Sequence, residues 1–141
     1  MKRVLLAGAL VLLMLVPAAN ASANDCPSIE GRALLDYGRT NTGTALVIYD
    51  GQRLRVDFIG TGFVPTGPNT ADVHFDWLFP DGTVSLVEHS TTTPIVGPLV
   101  AFDSTVEVTS GGSGDWTWSG ISNVAAGNAR FELSGTLCID A

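Results

Sequence analysis

The sequence predicts an all-β protein: a single antiparallel domain of about eight strands, closed or nearly closed into a small barrel in preference to a sandwich. Three observations predict it. Beyond residue 23 no window holds apolar residues at i, i+3, i+4 and i+7, so the helical period is missing. Runs of alternating apolar and polar residues recur instead, bounded by Gly, Pro, Asn or Asp, as half-buried antiparallel strands require. Finally, the first and last of these runs carry the two cysteines, Cys26 and Cys138, on the same polar face. A bridge between them joins the terminal strands as neighbours and closes the sheet.

Residues 1–23 stand apart from this pattern. Lys2 and Arg3 form a positive start, Val4 to Val16 an apolar run, and Ala21-Ser22-Ala23 a small-residue cleavage site. Together they read as a cleaved secretory signal peptide. Residues 24–141 then form one domain, because 118 residues suffice for one core and not for two ordinary ones. Export, to the periplasm or the medium, permits the Cys26–Cys138 disulfide. Ala23-Asn24-Asp25 before Cys26 lacks the Leu-small-small pattern of a lipoprotein signal, so Cys26 is read as a bridge partner and not as an acylation site.

In order, strands are expected near Ser28 to Tyr37, Thr44 to Tyr49, Gln52 to Ile59, Val73 to Phe79, Thr83 to His89, Val100 to Thr109, Asp115 to Ile121 and Ala129 to Cys138. Gly60 to Ala71 and Thr91 to Pro98 read as long loops, and Ser110 to Gly114 as a flexible turn. The clearest local feature is Asp50-Gly51 between two alternating runs. This pair tolerates the positive φ of a type I′ hairpin and places Val47 opposite Leu54 and Ala45 opposite Val56. Leu54, Val56 and Phe58 then point to the core, with Arg53, Arg55 and Asp57 outward. The last strand repeats the logic, with Phe131, Leu133 and Leu137 on one face and Arg130, Glu132 and Cys138 on the other.

The ionisable residues suited to catalysis gather on one predicted hairpin: His74 and Asp76 on one arm, Glu88 and His89 on the other. With Asp81-Gly82 as a two-residue turn, His74 faces His89, and His74, Asp76 and His89 share the face opposite Phe75, Trp77 and Phe79. That register is preferred because it aligns the apolar residues of both arms. With Pro80-Asp81-Gly82 as a three-residue turn, Glu88 replaces His89 opposite His74. Two imidazoles beside a carboxylate are the parts of an acid–base site if they line a pocket, and ordinary surface residues if they face water. Trp116 and Trp118, with Trp77, form a second group. Aromatic pairs of this kind stack on sugar rings or apolar ligands, or fill a core.

Charge excludes some classes. The whole chain carries −7, and without Lys2 and Arg3 it carries −9, with Arg32, Arg39, Arg53, Arg55 and Arg130 as its only strong cations. Nucleic acid and anionic membrane surfaces draw on cationic side chains and are not expected as partners. No apolar run beyond the leader reaches the roughly 20 residues of a spanning helix. Charged residues on one face of the short strands argue against a membrane barrel. A metal normally takes three or four protein ligands, and two histidines without a free thiol supply too few. There is no G-x-S-x-G elbow, H-E-x-x-H pair, Walker loop or dinucleotide fingerprint, so no cofactor is implied.

These readings lead to an exported, non-catalytic binding module for a small apolar or carbohydrate-like ligand. The alternatives are a small cofactor-independent cyclase, isomerase or hydrolase built on the histidine hairpin, and an envelope or interaction protein that works through exposed sheet edges.

Overall fold

The computed structural model of the protein describes residues 25–140; the leader assigned to residues 1–23 lies outside them. Alternation becomes strand along nearly the whole described chain: β1 (Ser28–Asp36), β2 (Thr42–Tyr49), β3 (Gln52–Gly67), β4 (Thr70–Phe79), β5 (Gly82–Val96), β6 (Leu99–Ser110), β7 (Gly112–Ser113), β8 (Asp115–Asn123), β9 (Asn128–Thr136) and β10 (Cys138–Ile139). Eight of them form a closed antiparallel barrel in the order β1-β2-β3-β4-β5-β6-β8-β9, and β9 returns to pair with β1. Closure removes the two edges that an open sheet would expose.

The β2–β3 hairpin has the expected register. Asp50 and Gly51 take φ of 50° and 77°, and Val47 lies opposite Leu54, Ala45 opposite Val56. The β4–β5 hairpin differs from both expected registers. Its turn is Pro80-Asp81, with Phe79 opposite Gly82, Trp77 opposite Val84, Phe75 opposite Leu86 and His74 opposite Val87. Pro80 accounts for this: its ring presets the φ of the first turn position, so the chain reverses there and not one residue later. The slip from the preferred register is two residues, so every side chain keeps its expected face while its partner changes.

The two segments expected as long loops are strand arms instead. β3 runs on to Gly67 and β5 to Val96, and two-residue turns at Pro68-Asn69 and Gly97-Pro98 join them to β4 and β6. Gly97, with φ of 55°, supplies the first position of the second turn. The Ser110–Gly114 segment contains β7, whose two residues pair with β10.

Aromatic side chains fill the interior. Phe58 stacks on Trp77 with ring centroids 4.5 Å apart, and Trp118 packs on Phe131 at 4.7 Å. Phe58, Trp77, Val56, Val84 and Leu86 are fully buried between them. Each such aromatic removes a large apolar area from water, which together with the buried Ile, Leu and Val side chains drives closure of the barrel. At the end where the termini lie, Leu137 is fully buried and its carbonyl accepts a hydrogen bond from the Tyr49 hydroxyl at 2.8 Å. The Cys26–Cys138 disulfide, with Cα atoms 4.9 Å apart, fixes the segment that plugs this end.

Candidate functional site

Strand parity decides which of the expected site residues meet. His74 and Asp76 on β4 and His89 on β5 lie on the outer wall, while Glu88, one residue before His89, points inward. His74 and His89 are not partners: His74 lies opposite Val87, and His89 lies opposite Asp72. The His89 ring bridges three strands. Its Nδ1 is 2.7 Å from Asp72 Oδ1 on β4 and its Nε2 is 3.2 Å from Glu107 Oε2 on β6. Those two carboxylates, Asp72 first, raise the His89 pKa above its ordinary value. Asp76 accepts a hydrogen bond from the Ser85 hydroxyl at 2.7 Å. The outer wall thus holds a proton-binding imidazole between two acids, away from His74.

Glu88 occupies a different environment. It is buried in the barrel beside Ser90 and Ser104. Its Oε2 accepts a hydrogen bond from the Ser104 hydroxyl at 2.5 Å and another from the Trp118 indole N–H. Burial raises its pKa, and the two hydrogen bonds oppose that shift. Trp77, Trp116 and Trp118 are all nearly fully buried, so none offers an open face for stacking on a ligand from outside. The Trp118 N–H is matched by Glu88, whereas those of Trp77 and Trp116 meet no acceptor among the described residues. These tryptophans build the core.

Comparison of the chain with family models, curated proteins and solved structures gives no match. Function therefore rests on the surface of the barrel itself.

Two features of that surface stand out. The first lies on the outer wall: Arg32 and Leu34 on β1, Leu46 on β2, Arg55 on β3 and Arg130 on β9 line a shallow concavity of about 1050 Å³. Asp103 and Glu132 line it too and offset two of its three arginines. The second is the barrel end opposite the disulfide, where the β1–β2, β3–β4, β5–β6 and β8–β9 connections turn. Residues 58–71, 90–102 and 116–129, which form three of those four connections and their flanks, contain no ionisable side chain. Asp36 and Arg39, at the β1–β2 connection, and Asp72, opposite Val64 on β4, are among the charges nearest these turns. The disulfide end instead carries Asp25, Asp50, Asp81, Asp115 and Asp140 at its turns and terminal segments.

On the uncharged end the tips are apolar and exposed: Phe63 65%, Val64 52%, Ile95 52% and Val96 68%. Thr61, Thr66, Thr70, Thr91 and Thr93 surround them with neutral hydroxyls. Sequence reading missed this surface because the residues lie in three separate segments that only the strand topology gathers. The signal was present as three uncharged stretches in an otherwise acidic chain.

Proposed function

We propose that this protein is an exported, non-catalytic interaction module that engages its partner through the uncharged end of the barrel. The observation that carries the reading is the uneven charge along the barrel axis: aspartates cluster at the turns of the disulfide end, and exposed Phe63, Val64, Ile95 and Val96 sit on turns without ionisable side chains at the other. Exposed apolar side chains cost little singly, but grouped and rimmed by neutral polar residues they mark contact surfaces. Docking on the β3–β4 and β5–β6 turns covers few carboxylates, which keeps the penalty for burying a charge small. Export is supported by the leader-like residues 1–23 and by the disulfide, which suits an oxidising compartment.

Site-specific photo-cross-linking in the cells that export the protein tests this reading. A photoreactive residue at position 64 or 96 is expected to give discrete adducts, and the same residue at 53 or 81 to give none. Adducts confined to positions 53 and 81, or absent from 64 and 96, overturn it.

A further inference from the structure

The barrel is closed at its waist but not at its uncharged end. β2 pairs with β3 only as far as Thr42 opposite Ile59, and one more backbone bond, Gly60 N–H to the Asn41 carbonyl, ends the ladder. An irregularity between Gly60 and Gly62 then inserts Thr61 into β3, and such a bulge bends a strand and increases its twist. Beyond it residues 61–67 pair with β4 alone, and no backbone among the described residues covers their other side. A second open edge, residues 93–96 of β5, is shorter and contains Pro94.

We propose that the open edge of β3 pairs with the same edge of a second copy, giving a two-fold dimer joined at the uncharged ends; this rests on the reading of that end as the contact surface. Unpaired strand N–H and C=O groups are a template for strand addition, and a two-fold axis lets one edge serve both partners. Pro65 has no N–H to donate, so it confines the pairing to Thr61, Gly62, Phe63 and Val64. Phe63 and Val64 flank the new ladder with apolar surface; the nearest charge is Asp72, opposite Val64 on β4 and engaged by His89.

Electrostatics favours this partner. Two copies of an acidic chain repel each other, yet joined at these ends they hold their aspartate-bearing ends at the far poles. The ten residues from Gly60 back to Asp50 span on the order of 30 Å, several times the roughly 8 Å screening length at physiological salt. Association along the outer wall at β4–β6 would instead bring Asp103 and Glu107 of both copies together. The same edge argues against a lipid surface, because unpaired backbone groups are costly in hydrocarbon. The exposed tips offer on the order of 400 Å² of apolar surface, about half the 800 Å² or so per partner of a standard interface. The dimer is therefore a weak one.

Sedimentation equilibrium of the disulfide-bonded secreted protein, from micromolar to millimolar concentration, tests the proposal. A monomer–dimer equilibrium is expected. Val64→Lys should weaken it at least tenfold, while Leu46→Lys on the outer wall leaves it unchanged. Hydrogen exchange of the unsubstituted protein should slow at residues 61–64 as concentration rises, a readout that needs no variant. A monomer throughout, a dimer indifferent to Val64→Lys, or protection only outside residues 61–64 overturns the proposal. So does binding of the monomer to phosphatidylcholine vesicles that Val64→Lys abolishes. Photo-adducts from positions 64 and 96 separate the two readings. Adducts of twice the chain mass support both, adducts with other proteins alone retain the contact surface and sink the dimer, and no adducts sink both.

Discussion

Asn41 encloses Gly60: its carbonyl accepts the Gly60 N–H at 2.8 Å, and its Nδ2 donates to the Gly60 carbonyl at 3.0 Å. Asn41 makes this bracket with φ of 54°, a conformation that Asn tolerates better than most residues. A Cβ at position 60 would overlap the Asn41 side chain. The pair is the last point at which β2 holds β3 in the barrel.

Removing the bracket should loosen the uncharged end. Asn41→Ala loses the side-chain bond and leaves alanine at positive φ, for an expected cost of about 1–2 kcal/mol in urea unfolding. Asn41→Gly, free of the φ strain, should cost less. Gly60→Val is expected to cost about 1–3 kcal/mol through steric overlap. Unchanged stability in all three variants would show that the bracket does not hold β3.

His89 should titrate above the ordinary histidine value of about 6.5. Asp72 and Glu107 hold its proton from the strands on either side. Because the folded pKa is raised, this stabilisation is complete below the unfolded pKa and is lost as pH rises through the folded one. With 43% of the His89 side chain exposed, the gain is small. An NMR titration of the imidazole checks it: Asp72→Asn should move the midpoint down, and an unmoved midpoint contradicts the assignment.

The fold was legible where local chemistry and burial agree. Asp50-Gly51 accepts positive φ at both turn positions and sits between two clean alternations, so turn, register and faces all followed. At Pro80-Asp81-Gly82 two turn preferences compete within three residues. Apolar alignment recovered the faces there, because parity is a strong constraint, but missed the partners by two positions. The strand arms were hidden by composition. Pro65 and Pro94 read as loop residues, yet each sits where its strand has a neighbour on one side only and needs no N–H for a ladder. The expected candidate residues were distributed by the same parity: the histidines to the outer wall, Glu88 and the tryptophans to the core.

Opening the disulfide should unseat the C-terminal plug. The bridge spans 112 residues, and closing a loop of that order stabilises by up to about 4.7 kcal/mol in the chain-entropy model. Joint replacement of Cys26 and Cys138 by Ser is expected to lower the unfolding midpoint and to expose amides of residues 137–140 first. Protection at those residues as high as in the bridged protein would mean that β7–β10 pairing and Leu137 burial hold the plug unaided.

Glu88 is the one buried acid among the described residues, and its two donors fix what a substitution does. Glu88→Gln keeps an oxygen for the Ser104 hydroxyl and the Trp118 N–H while removing the ionisation that burial penalises. Because burial raises the folded pKa, the native state binds more protons than the unfolded chain between the two pKa values. The stability contributed by this group is therefore full below the ordinary glutamate value of about 4.3 and is lost as pH rises through the folded pKa. Glu88→Gln should flatten that loss, so the variant gains on the unsubstituted protein as pH rises toward 8. Glu88→Ala should instead be less stable by about 2–4 kcal/mol, since it leaves a cavity and strands the Trp118 N–H without an acceptor. Trp fluorescence during urea unfolding at several pH values measures both. Parallel stability–pH curves for the Gln variant and the unsubstituted protein would show that Glu88 does not ionise with an altered pKa in the fold.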